Sequence, residues 1–134
     1  MPGIITPEIY WLTATILMTA LFWVPVIVNR IIEIGAWAAL KPPPLKPKAL
    51  WAERLMRAHA NAIENLALFA PLALVIHFAG ISTSMTATVC LIYFIARLIH
   101  VLAYVAAIPV IRTLAFVVGF ICQMALVTTI LGAV

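Results

Sequence analysis

The chain has 134 residues, of which 66% are hydrophobic and 9% charged, where soluble domains carry about 25% charged residues. That composition and a mean hydropathy of +1.21 exclude a water-soluble globular domain and leave an integral membrane protein. The net charge of +4 is local rather than global: Arg30, Lys41, Lys46, Lys48, Arg54 and Arg57 gather around one loop, the pattern of a positive flank on membrane spans and not of a nucleic-acid surface.

The first charge-free run is Ile9 to Asn29, and about 20 residues suffice to cross a bilayer. No basic residue precedes it, so it lacks the n-region of a cleaved signal peptide and is expected to remain as a helix. Pro25 lies within it and is expected to kink it. Lys41 to Lys48 follows, with four prolines that forbid a helix and favour an extended, semi-rigid connector. The second span runs from near Leu50 to near Ala79. It opens with Arg54, Arg57, His59, Asn61, Glu64 and Asn65, and such residues in a spanning helix mark a site or a paired network. Arg54, Arg57, Asn61, Glu64 and Asn65 fall on one face at about 100° per residue.

Gly80 to Ser84 is a short uncharged turn. The third span, about Met85 to Ala107, carries Tyr93, Arg97, His100 and Tyr104 on one face, spaced four, three and four. Pro109 is expected to end that helix, leaving Arg112 free to bend back over the mouth of the bundle. The fourth span then closes the chain. The reading is an all-α, single-domain (1–134) four-transmembrane-helix bundle with spans at about 7–37, 50–79, 85–107 and 112–133 and a proline-rich loop at 41–48. The basic loop is expected on the cytoplasmic side and both termini opposite. Arg30, Arg57, Asn61, Glu64, Arg97, His100, Tyr104 and Arg112 then share the cytoplasmic half.

Two readings fit those polar stripes. Arg97 pairs with Glu64 and Asn61 bonds a neighbouring helix, or the surplus of Arg over one Glu holds an anionic ligand or headgroup. Cys90 and Cys122 lie in apolar segments without partner spacing, so disulfide, zinc and iron–sulfur sites are unsupported and no metal is expected. His77, at the outer end of the second span, reads as bonded to a carbonyl or headgroup. Trp11, Trp37 and Trp51 fit an interfacial belt, and the deeper Trp23 fits packing. Gly119 and Gly132 would let helices approach.

The stretch Arg57-Ala-His59-Ala-Asn61-Ala-Ile-Glu64-Asn65, with Ala96-Arg97-Leu-Ile-His100-Val-Leu-Ala-Tyr104 and Pro109-Val-Ile-Arg112-Thr-Leu-Ala-Phe116, resembles the membrane-associated proteins in eicosanoid and glutathione metabolism, the MAPEG family. The pattern is nearest its microsomal glutathione transferases and prostaglandin E synthase. The resemblance implies a homotrimer of four-helix bundles with glutathione between subunits near the cytoplasmic face. It also implies that Arg30, Arg57, His59, Asn61, Glu64, Arg97, His100 and Tyr104 hold that tripeptide. Carboxylates suit guanidinium forks, and the glutathione ammonium suits Glu64. Arg112 takes the catalytic position, where a guanidinium lowers the pKa of a thiol, about 8.5 when free. The second substrate is expected to be an apolar electrophile arriving through the lipid. Ala62, Asn65 and Thr113 depart from eicosanoid-specific members, so eicosanoid chemistry is not indicated. A non-enzymatic MAPEG-like subunit binding lipid or a larger membrane complex is the alternative. A small multidrug exporter fits poorly, because a path for cations should not be lined with arginines.

Overall fold

The computed structural model describes residues 4–42 and 46–134. Residues 43–45, the middle of the connector expected to be extended, lie outside the described residues. The chain folds into α1 (Pro7–Leu21), α2 (Trp23–Ile34), α3 (Ala36–Ala39), α4 (Leu50–Phe78), α5 (Ser84–Val105) and α6 (Pro109–Leu131). Four spans result, Pro7–Ile34 from α1 with α2 and one each from α4, α5 and α6, all long and apolar enough to cross a membrane. Large apolar side chains such as Leu17, Val24, Leu68, Leu114 and Ile121 are exposed. In water such a surface would aggregate; in lipid it is the required outer face.

Local chemistry sets the breaks. α1 gives way to α2 at Phe22, because Pro25 has no N–H for the Leu21 carbonyl one turn back and its ring crowds that carbonyl. Three hydroxyls in α1 fold onto their own helix: Thr13 onto Ile9, Thr15 onto Trp11 and Thr19 onto Thr15. This satisfies them inside an apolar span. α2 stops at Gly35, whose φ of 84° turns the chain off the helix axis. One turn of α2 then brackets the loop. Arg30 donates to the carbonyl of Lys41, and the Glu33 carboxylate accepts from the backbone N–H groups of Lys48 and Ala49 at 3.0–3.2 Å. Those amides precede α4 and need an acceptor.

The end of α5 differs from the sequence expectation. The helix closes at Val105, before Pro109, with Ala107 at a φ of 58°. The Ile108 N–H reaches back to the Ala103 carbonyl at 2.9 Å, the 6→1 bond of a Schellman turn. Pro109 is the first residue of α6, a position its fixed φ suits. Arg112 therefore lies in the first turn of α6, held in helical register, and is not part of a free connection. The fourth span starts at 109 rather than 112 for the same reason.

Two apolar cores stack along the bundle. One contains Leu12, Phe69, Ala73, Ile76, Cys90, Tyr93, Cys122 and Leu126; the other contains Val26, Leu55, Ala58 and Val101. Between them lies a polar layer of Asn61 and Asn65 from α4, Arg97 and His100 from α5, and Gln123 from α6. α5 packs along α6 and also against α1 and α4. A Cβ on Gly119 would stand 3.7 Å from the Tyr93 ring and 3.8 Å from Arg97 Cδ, so α6 passes close over the Arg97 stem there. At the end of the bundle away from the basic loop, the buried Glu8 carboxylate accepts from Ser82 Oγ at 2.9 Å and from Thr86 Oγ1. Beside it His77 Nδ1 bonds the Thr6 hydroxyl at 3.1 Å.

Candidate functional site

The polar face of α4 divides. Arg54, Asn61 and Asn65 lie within roughly 40° of one another, and Arg57 and Glu64 lie about 70° round from them. The first set turns toward α5 and α6: Arg54 Nη1 approaches the Val105 carbonyl at 3.4 Å, and Asn61 meets Arg97. The second set points out of the protomer. Arg57 is exposed and bonds Glu53 at 2.8 Å. Glu64 is exposed and has no ion-pair partner among the described residues. The pairing of Arg97 with Glu64 considered from sequence does not form; Arg97 turns inward instead.

Arg97 is 2% exposed. Its Nη2 donates to Asn61 Oδ1 at 2.7 Å and contacts His100 Nδ1 at 3.3 Å. Its Nε has no partner among the described residues. The His100 ring meets Tyr104 edge-on with centroids 5.8 Å apart and lies 6.3 Å from Phe116. The Arg112 guanidinium sits over the Tyr104 ring, 4.8 Å from its centroid, a favourable cation–π distance. Between these groups is a cavity of about 220 Å³ lined by Asn61, His100, Tyr104, Arg112, Thr113 and Phe116. Its polar edge offers an amide, an imidazole and a guanidinium, all able to donate, and no carboxylate. Such a wall suits an anionic or acceptor-rich ligand.

The model of the MAPEG family matches residues 9–132, nearly the whole chain. The chain is a MAPEG protein. Comparison with curated proteins gives no match, so the similarity carries the family and not one member's reaction.

Within this MAPEG fold the residues expected to hold glutathione fall into three groups. Asn61, His100, Tyr104 and Arg112 line one cavity, with Arg97 directly behind Asn61 and His100. Arg57 and Glu64 face outward on α4. His59 and Arg30 lie elsewhere in the protomer. His59 is on the opposite side of α4 from Asn61, buried under Trp23 with ring centroids 4.7 Å apart. The two positions are about 200° apart on a helix, a signal the motif reading passed over. Arg30 is engaged with the loop. Gln123 was missed: it is buried and donates to the Asn65 backbone carbonyl at 3.2 Å. Its one sequence signal is an amide inside an otherwise apolar span. Thr113 and Phe116 also line the cavity, and the Thr113 hydroxyl is bonded to the Pro109 carbonyl at 2.9 Å.

Proposed function

We propose that this MAPEG protein is a glutathione-dependent membrane transferase or peroxidase that acts on apolar electrophiles, working as a homotrimer. The observation that carries this reading is the donor-lined cavity beside a face of α4 on which Glu64 stands exposed. A carboxylate on a spanning helix is costly in hydrocarbon, so a facing group must cover it. A second copy of the chain with a ligand between the two supplies both cover and partner. Glutathione fits the donors present: its carboxylates suit Arg57 and the amide of Asn61, and its ammonium suits Glu64. His100 and Tyr104 flank the remainder.

When bound, glutathione supplies a thiol, the nucleophile or reductant of the reaction. Arg112 holds its positive charge at the cavity, and in a partly dry setting that charge favours thiolate over thiol more strongly than it would in water. Stacking on Tyr104 fixes the height of the guanidinium, and the first turn of α6 fixes its direction. The apolar surface around the cavity lets an electrophile approach from the lipid. On this reading the basic loop and the cavity face the cytoplasm, with both termini opposite.

One observation favours a second reading, a non-enzymatic MAPEG subunit that binds lipid or a larger membrane complex. Arg97 is committed within the protomer and is not available to a ligand. Purified protein in detergent separates the two readings. Saturable glutathione binding by calorimetry, together with glutathione-dependent turnover of halonitrobenzenes or hydroperoxides, supports the enzyme. Binding without turnover across the panel supports the non-enzymatic subunit.

A further inference from the structure

Arg97 has only donors to offer. Its Nη2 nevertheless meets two groups of ambiguous polarity, Asn61 Oδ1 at 2.7 Å and His100 Nδ1 at 3.3 Å. Both must accept. An imidazole that accepts at Nδ1 is neutral and carries its proton on Nε2. An asparagine that accepts at its oxygen turns its NH2 group the other way. Asn65 imposes the same orientation independently. Its Nδ2 donates to the backbone carbonyl of Asn61 at 2.9 Å and lies 3.3 Å from Asn61 Oδ1. A backbone carbonyl can only accept, so the nitrogen of Asn65 is assigned without choice. A flipped Asn61 would set its NH2 against two donors at once. Gln123 fastens this turn of α4 to α6 through the Asn65 carbonyl.

We propose that Arg97 and Asn65 are positioning residues that hold Asn61 and His100 in the one orientation in which Asn61 Nδ2 and His100 Nε2 are the donors left for the cavity. With Arg112 they make that cavity a receptor for an anionic acceptor group, a carboxylate or a thiolate. Arg97 thus acts on a ligand through its neighbours and does not touch it. The identity of the ligand rests on the glutathione reading; the orientation of the two side chains does not.

Nitrogen-15 NMR of histidine-labelled full-length protein in nanodiscs tests the orientation. The His100 signals are identified by their loss in His100→Gln. The wild type is expected to show His100 with Nδ1 bare and Nε2 protonated, and Arg97→Met is expected to mix the tautomers. A wild-type His100 protonated on Nδ1 overturns the proposal. Calorimetric titration with glutathione tests the consequence. Asn65→Leu should weaken binding about 5- to 10-fold. In an Asn61→Ala background it should change binding by no more than about twofold, because no amide remains to orient. Equal losses in both backgrounds would mean that Asn65 is merely structural. A wild type that binds no glutathione removes the proposed function instead, and the histidine measurement still decides the positioning role.

Discussion

Glu8, in the first turn of α1, and Glu64, midway along α4, are both carboxylates on spanning helices, and the protein treats them in opposite ways. Glu8 is fully buried and surrounded by hydroxyl donors from Ser82 and Thr86. Glu64 is exposed on α4, with no ion-pair partner among the described residues. A buried charge held by hydroxyl donors of its own chain is a fastening. A charge left exposed on a spanning helix is costly unless something covers it. The Glu8 end of the bundle is therefore closed within one protomer, whereas the face of α4 that carries Glu64 is left open in it.

The sharpest way to test that contrast is beside the open face. Arg112→Leu should lower glutathione-dependent turnover by roughly 100- to 1000-fold, the range for losing one charge-stabilising donor. Glutathione affinity should fall far less than turnover, and the thermal midpoint should stay near wild type. A variant that keeps full rate would remove Arg112 from the chemistry. At the closed end the response should be reversed. Glu8→Ala strands the Ser82 and Thr86 hydroxyls and should cost about 2 kcal/mol of stability, read from helix loss during thermal unfolding. Turnover per folded molecule should be preserved. Lost turnover with unchanged stability would mean the two regions do not divide labour in this way.

Glu64→Gln keeps the shape and removes the charge. Glutathione binding should weaken by about tenfold, with the protomer as stable as before, since no described residue forms an ion pair with that carboxylate. A large drop in stability would contradict the reading of Glu64 as an outward-facing contact. The smallest effect is expected at the α5–α6 turn. Ala107 holds a left-handed backbone conformation that burdens a Cβ by about 1–2 kcal/mol, partly offset by the entropy glycine loses on folding. Ala107→Gly should stabilise by about 0.5–1 kcal/mol without touching activity, as thermal unfolding would register.

Much of the architecture was legible in the sequence because the bilayer leaves few alternatives. Charge-free runs of the right length, an interruption near Pro25 and an uncharged turn at Gly80 to Ser84 led directly to the spans observed. The stripe on α5 was also legible, since Arg97, His100 and Tyr104 share one face by simple periodicity. Periodicity says which residues share a face, but not what that face meets. It could not say that Arg57 and Glu64 would point away from the bundle while Asn61 pointed in. Nor could it foresee the contacts of Glu8 with Ser82 and Thr86, which join residues 74 and 78 positions apart. Two misses had a signal. Asn61 and His59 stand on opposite sides of any helix, and Pro109 followed by an apolar run marks a helix start as readily as an end.

The bracket formed by Arg30 and Glu33 has a practical consequence. Less than one turn of α2 holds both the Lys41 carbonyl and the Lys48 and Ala49 amides, so the anchor points of the loop stand fixed whatever is carried between them. Lengthening a loop between fixed ends changes its closure entropy only slowly. A fluorophore-binding peptide or affinity tag spliced between Lys41 and Lys48 should leave the register of α4, and with it the placement of Asn61, undisturbed. That makes this loop the natural handle for immobilising or labelling the protein without reaching into the bundle.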